Sequence, residues 1–154
     1  MFVLNSRDMT VPPDVRSTFI RGRCEPVLLR TGHQLFKYSQ HGLVNPKDGS
    51  ITPWWSSVRP IHPDDTGLAE HERRAEGAGH SGADLARARS AVDKAWNEMT
   101  GMLRIALKVD AWAIAGRCSH QKYDSRNPSL DNVVWIGGAY QLWLPNLRRE
   151  HVRG

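Results

Sequence analysis

The chain has 154 residues, a length typical of one domain with its own hydrophobic core. Hydrophobic residues make up 40% and charged residues 24%, which excludes a disordered chain, and no run approaches the roughly 18 to 20 apolar residues of a membrane span. The net charge of +5 favours anionic partners. From the length and composition we expect a soluble single domain over residues 1–154 with no membrane insertion.

The beginning of the chain predicts one short helix. Two prolines precede Val15 and Phe19, which stand at helical spacing. A helix is therefore predicted within residues 11–21, beginning near Pro12 or Pro13.

Two strands are predicted next, over residues 27–30 and 33–39, because branched and aromatic residues flank a Thr31-Gly32 turn. Alternate side chains of a strand share a face. In the second strand one face carries a lysine between a core-type residue and a hydroxyl, and the other face is aromatic. These faces are Leu35, Lys37 and Ser39, and Phe36 and Tyr38.

The middle of the chain mixes extended and loop-like segments. Residues 51–58 read as extended chain, and Pro53 predicts that this segment lies at a sheet edge or is irregular. Residues 60–81 are polar and rich in glycine, proline, histidine and acidic residues, so we expect an exposed loop with a helical turn near 68–74.

Three elements complete the chain. Apolar residues recur every three or four positions over 82–100, which predicts an acidic amphipathic helix. Strict alternation over 103–113 predicts one strand with a buried face. After a loop over 116–132, residues 133–145 predict a strand bent by Gly137 and Gly138. An α+β domain follows from this mixture.

Charge and cysteine content bound the chemistry. Residues 1–60 and 101–154 each hold eight Lys/Arg against four Asp/Glu, and residues 61–100 hold five against eight. Basic ends suit phosphates, whether of a nucleic acid or of a small dinucleotide. Cys24 and Cys118 are too few for a disulfide framework or a zinc site, so we expect reduced thiols and no metal, with a single bridge left open.

Three segments carry polar residues in an order that resembles the ADP-ribosyltransferase superfamily, in particular compact toxin-like domains delivered by bacterial secretion systems. In that family a strand with a basic residue that holds NAD precedes a Ser-Thr-Ser-like strand and a late strand with a catalytic Glu. The matching segments are Leu35-Phe36-Lys37, Thr52-Pro53-Trp54-Trp55-Ser56-Ser57 and Gly137-Gly138-Ala139-Tyr140-Gln141.

The resemblance implies two small facing β-sheets with a cleft, flanked by helices, that cleaves the nicotinamide–ribose bond of NAD, by hydrolysis or by ADP-ribosyl transfer to a macromolecular target. It implies catalytic roles for Gln141, Lys37 and Ser57. Gln141 takes the place of the Glu and can still accept a hydrogen bond from the ribose, and Lys37 keeps the charge of the usual Arg. The residues it implies for NAD binding are Lys37, Tyr38, Thr52, Trp54, Trp55, Ser56, Ser57 and Gly138.

The resemblance also implies biology. Such toxins are neutralised in the producing cell by a cognate immunity protein, and a basic cleft suits an acidic blocker. The first ten residues lack the basic-then-apolar order of a signal peptide, so we expect synthesis in the cytoplasm, export without a cleavable signal, and action in the cytoplasm of a target cell.

Two other functions fit the composition. A small metal-independent ribonuclease uses imidazoles as base and acid beside a lysine, and His33, His41 and His120 are candidates, whereas His62, His71 and His80 are expected to be solvated. A non-enzymatic module could dock a protein or single-stranded nucleic acid through tryptophans and basic ends. Each site residue also has an ordinary structural explanation, such as an edge charge for Lys37 or a core anchor for Trp55.

Overall fold

The computed structural model describes residues 1–39, 42–63, 65–77, 101–119, 121–122, 134–135 and 139–154. The helix predicted over 82–100 lies outside these residues, as do Gly137, Gly138 and the histidines at 41, 80 and 120. The described part confirms an α+β domain. Its arrangement as two facing sheets with a cleft stays a prediction.

Strands dominate the described part of the chain, with two α-helices and two 3-10 turns between them. The strands are β1 (Val3–Leu4), β2 (Glu25–Leu29), β3 (Gln34–Ser39), β4 (Trp54–Ser57), β5 (Gly101–Leu107), β6 (Asp110–Arg117), β7 (Gln121–Lys122), β8 (Val134–Trp135), β9 (Tyr140–Trp143) and β10 (Val152–Arg153). The helices are α1 (Pro13–Arg16) and α2 (Gly67–Gly77), and the 3-10 turns are Ile20–Gly22 and Arg149–His151.

Eight of these strands form one sheet in the order β1-β6-β9-β4-β3-β5-β10, with β2 on the other side of β6. Only the β1–β6 pairing is parallel among the described pairs. The rings of Phe2 and His151, which precede β1 and β10, stack at 5.7 Å. The first and last strands of this order therefore lie close together, and the sheet is curled. β7 and β8 form a separate pair.

The main core lies inside the curl. We call the side that faces it the inner face of the sheet and the opposite side the outer face. Most of the strands contribute to it, with large side chains opposite three alanines of β6. The buried members are Leu4, Leu29, Leu35, Ile51, Trp55, Ile105, Leu107, Ala111, Ala113, Ala115, Leu142, Leu144, Leu147 and Val152.

A second, smaller core covers the outer face where α1 packs on β6 and β9. It contains Val15, Phe19, Ile114 and Trp143, with Trp54 at its margin. Helix α1 begins at Pro13, as the sequence predicts, but it has only four residues, and a separate 3-10 turn follows it. Arg21 in that turn has a φ of 55°, which a continuous helix does not allow.

The single strand predicted over 103–113 is wrong. The chain forms β5 and β6, which belong to different halves of the sheet, with a corner at residues 108–109. Both strands turn their odd-numbered side chains inward, so the alternation runs through the corner without a break. Periodicity alone therefore hides the change of direction.

Three other predictions of extended or irregular chain are wrong in part. Residues 67–77 form the eleven-residue helix α2, whose buried stripe is Leu68, His71 and Ala75. Only Leu68 and Ala75 are apolar, so the sequence pattern does not reveal the stripe. The predicted loop after residue 116 includes β7, and β6 continues to Arg117. The predicted bent strand over 133–145 contains β8 and β9, which pair with different partners.

Candidate functional site

Strand β4 joins the two halves of the sheet. Its first two residues pair with β9, and its last two pair with β3, so each neighbouring strand leaves β4 near its middle. The predicted sheet-edge position is therefore wrong for β4, whereas the alternative, irregular chain, holds at Pro53 itself. The proline stands just before the strand, where its missing N–H removes no ladder bond, and its carbonyl still accepts a hydrogen bond from Leu144 N at 2.7 Å.

The first residues beyond these two pairings are two of the predicted site residues. The β3–β4 pairing ends at Phe36–Ser56, and Lys37 follows Phe36. The β4–β9 pairing ends at Trp55–Leu142, and Gln141 precedes Leu142. The sheet divides where β3 and β9 stop pairing with β4, and Lys37 and Gln141 lie at these two points.

Lys37 lies on the inner face between a hydroxyl and an indole. Its Nζ donates a hydrogen bond to Thr52 Oγ1 at 3.1 Å and lies 5.7 Å from the centre of the Trp55 ring. The Trp55 Nε1 in turn donates to the Thr52 carbonyl at 2.8 Å, which fixes the position of the threonine. Three residues of two predicted motifs thus form one contact group.

Lys37 has no counter-ion within the described part of the chain. Among the residues that the structure describes, no carboxylate forms an ion pair with it. Burial lowers the pKa of Lys37 to about 8. A half-buried cation without a counter-ion weakens a fold, and such groups concentrate at functional sites, where a ligand supplies the missing charge.

Gln141 is not brought together with Lys37. It pairs with Gly116 on β6, and its Nε2 donates to Thr18 Oγ1 at 3.3 Å beside the small outer core. Its neighbours Tyr140 and Leu142 face the main core. The amide therefore lies on the outer face, and the catalytic role implied for it stays a prediction.

Ser57 is buried and its hydroxyl is fully engaged. The hydroxyl donates to the carbonyl of Arg59, and the Nε2 of His33 lies 2.8 Å from the same oxygen, so the imidazole acts as donor. Burial, together with the Arg59 charge, lowers the pKa of His33. These contacts hold the chain as it leaves β4.

We expect Ser57→Ala to lower the free energy of unfolding by about 1 to 3 kcal/mol, because it removes a buried hydroxyl that pairs with the half-buried donor of His33 and with the carbonyl of Arg59. Urea denaturation measures the effect. Ser56→Ala is the matched control: Ser56 lies on the outer face of the same strand and should change stability by less than about 0.5 kcal/mol. Equal effects of the two substitutions would contradict this role for Ser57.

The other predicted ligands are divided between the faces. Tyr38 lies on the outer face with Phe36 and His71, whose rings are centred 6.1 and 5.8 Å from its own. Burial, with the nearby Glu72 charge, raises the pKa of Tyr38. Trp54 also faces outward, 5.9 Å from Phe19. Gly138 lies outside the described residues.

Two histidines predicted to be solvated are not. His71 is buried on α2 against Phe36 and Tyr38. His62 is half-buried and stacks on Tyr140 with ring centres 4.9 Å apart and planes 16° apart. The turn that carries His62 is closed by Asp65, which accepts hydrogen bonds from the backbone N–H groups of Ile61 and Gly67. Asp65 stands just before helix α2, and an aspartate at this position is the sequence signal that could have predicted the turn.

Comparison with known proteins yields one structural likeness. The chain is similar to a solved structure described as "Rhs1-CT in complex with cognate immunity protein RhsI1", at 15% sequence identity and a TM-score of 0.46, over 84% of this chain and 75% of that one. No protein-family model matches the sequence, and no curated protein matches it. In the described ranges, no helix has both the length and the apolar character needed to cross a membrane.

Proposed function

We propose that this chain is a NAD-consuming toxin domain that cleaves the bond between nicotinamide and ribose. The observation that carries the proposal is the half-buried Lys37 at the division of the sheet, with which no carboxylate of the described residues forms an ion pair. NAD supplies the missing negative charge through its pyrophosphate. Hydrolysis and ADP-ribosyl transfer share this first bond cleavage, and water or a macromolecular acceptor completes the reaction.

The neighbours of Lys37 suit the other parts of a dinucleotide. Thr52 offers a hydroxyl that can bond a ribose or a phosphate oxygen, while the buried Trp55 holds the threonine in place through its hydrogen bond to the Thr52 carbonyl. A cation and a hydroxyl within one contact group are features that a charged, sugar-containing ligand uses. The proposal therefore places NAD on the inner face.

A direct assay separates this function from its rivals. Purified protein is incubated with NAD, and free nicotinamide is measured, while a parallel sample receives RNA without NAD. We expect nicotinamide release and intact RNA. Cleaved RNA with intact NAD would favour a ribonuclease, although His33, one of its candidates, is held by Ser57. No reaction in either sample would favour a binding module.

The sequence resemblance predicts that Gln141→Ala lowers turnover about a hundred- to thousandfold, as expected when one transition-state hydrogen bond is lost, with NAD affinity nearly unchanged. The structure supplies the control. Thr18→Val removes the hydroxyl that Gln141 contacts and leaves the amide in place. Turnover and dissociation constants are measured for both variants.

Loss of turnover in Gln141→Ala but not in Thr18→Val assigns the effect to the amide itself. Equal losses assign it to the packing of the outer face. Full activity in Gln141→Ala places the catalytic group on the inner face with Lys37.

The affinity for NAD should depend on pH through Lys37. The pKa of Lys37 is about 8, so its cation is present below that pH and is lost above it. We expect the dissociation constant to be flat from pH 6 to 7 and to rise about fivefold from pH 8 to pH 9, since only the protonated fraction binds. Quenching of tryptophan emission measures it. A constant affinity up to pH 9 would contradict binding at Lys37.

The proposal extends to a partner and a place of action. A dedicated acidic immunity protein would associate rapidly with a domain of net charge +5. The domain would act in the cytoplasm of a target cell after export without a cleavable signal. Expression in a host without that partner should arrest growth while cellular NAD falls. Arrest at constant NAD would point to a different target.

A further inference from the structure

The amine of Lys37 differs from those of Lys47 and Lys108. Lys47 and Lys108 are exposed, whereas Lys37 is half-buried beside Trp55 and Leu103. Its one described hydrogen bond goes to the neutral oxygen of Thr52. No described carboxylate holds it in the charged form, and surroundings of this kind favour the neutral, nucleophilic amine.

The proposed reaction releases a sugar that can react with an amine. Cleavage of the nicotinamide–ribose bond by water leaves a hydroxyl on the ribose carbon that carried the nicotinamide. The ribose ring of ADP-ribose then opens to a chain with an aldehyde at that carbon. The aldehyde remains attached to the pyrophosphate that Lys37 is proposed to bind.

We propose that Lys37 captures this aldehyde as an imine, so that the domain forms a covalent adduct with ADP-ribose, its own reaction product. The identity of the sugar rests on the proposed function. The position of the amine rests on the contacts with Thr52 and Trp55.

The step balances without an oxidant or reductant. The lone pair of Nζ attacks the aldehyde carbon, and the carbonyl oxygen takes up a proton to give a carbinolamine. That oxygen leaves as water, and a C=N bond joins Nζ to the sugar. Thr52 is a positioning residue, because its hydroxyl oxygen, 3.1 Å from Nζ, holds the amine at one place on the inner face.

The two reactions of Lys37 depend on pH in opposite directions. Anion binding needs the cation, and capture needs the neutral amine. The pKa of about 8 gives Lys37 a neutral fraction at pH 7.5 that exceeds that of an ordinary lysine by about two-hundredfold. Because a less basic amine is also a weaker nucleophile, we expect a smaller advantage in rate, of about tenfold.

The test supplies ADP-ribose directly to the purified full chain. Sodium cyanoborohydride reduces any imine to a stable amine, and peptide mass spectrometry locates the adduct. We expect Lys37 to be labelled about tenfold faster than Lys47 and Lys108, with a rate that rises from pH 7 to pH 9. Lys37→Arg keeps a cation but forms no imine, and it should lose this adduct while retaining the labelling of the other lysines.

Two results would overturn the inference. Equal labelling of Lys37, Lys47 and Lys108 would show an ordinary amine, and equal rates with ADP-ribose and ribose 5-phosphate would show that the site does not select the dinucleotide product. Neither result depends on NAD cleavage. Conversely, selective capture of ADP-ribose by a chain that never cleaves NAD would support the covalent site and overturn NAD as its source.

Discussion

Lys37→Met is expected to weaken NAD binding and to stabilise the fold at the same time. The substitution removes a hydrogen-bonding cation, which is worth about 1.5 to 3 kcal/mol or roughly a ten- to hundredfold change in dissociation constant. It also replaces a half-buried charge, which has no counter-ion among the described residues, with an apolar chain of similar length. We expect the free energy of unfolding at pH 7 to rise by about 1 to 2 kcal/mol.

The opposite signs make this variant informative. NAD binding is followed by tryptophan emission and stability by urea denaturation, with Lys47→Met as the control. Lys47 is exposed in the turn-rich segment before Ile51, so its replacement should change neither quantity. Normal NAD affinity in Lys37→Met would refute the site. A loss of stability would show that Lys37 serves the packing of the inner face.

A residue that lowers stability and raises affinity is typical of a functional site. At Lys37 the sign of the stability effect follows from the pKa. The native protein holds the proton of Lys37 less tightly than the unfolded chain does, because burial disfavours the cation. Stability due to this group therefore increases as the pH rises from about 8 toward 10.5, since the unfolded chain binds more protons there. Lys37→Met should remove that increase.

Local structure could largely be predicted from the sequence for elements that lie in one environment along their whole length. Strands β2 and β3 fall within two residues of the predicted segments at each end. The faces of β3 also follow from alternation, with Leu35 and Lys37 inward and Phe36 outward. These features depend on neighbouring residues alone, which is why a single sequence contains them.

The position of β4 between the two halves of the sheet could not be predicted from the sequence, because it depends on which strands pair with β4. Trp54 and Ser57 pair with strands that lie far apart in the chain. The corner between β5 and β6 could not be predicted from the sequence for the same reason. Nothing in the alternation marks a change of partner when both strands keep the same face toward the core.

The candidate site shows the same limit. Thr52, Trp55 and Lys37 were grouped by resemblance, and their contacts are now explicit. Alternation along β9 places Gln141 on the face opposite Leu142. Whether Lys37 shared that face could be decided only by the pairing of both strands with β4.

Gly116→Ala is expected to destabilise the domain strongly. A methyl group at this position would lie 2.6 Å from the carbonyl oxygen of Arg23 and 2.6 Å from Cδ1 of Phe19. Phe19 is only 1% exposed in the outer core, and the Arg23 oxygen belongs to the backbone, so neither can move away at low cost. We expect a loss of about 3 kcal/mol, at the upper end of the usual cost of overpacking.

Gly42→Ala is the control for this substitution, because a methyl group there meets no atom within 4 Å. It should leave the midpoint of thermal unfolding nearly unchanged, whereas Gly116→Ala should lower it by about 2 to 4 °C for each kcal/mol. Gly116 also pairs with Gln141 across β6 and β9. If Gly116→Ala unfolds normally and yet turns over NAD slowly, the outer face takes part in the reaction. If it loses stability and retains turnover per folded molecule, the chemistry belongs to the inner face around Lys37.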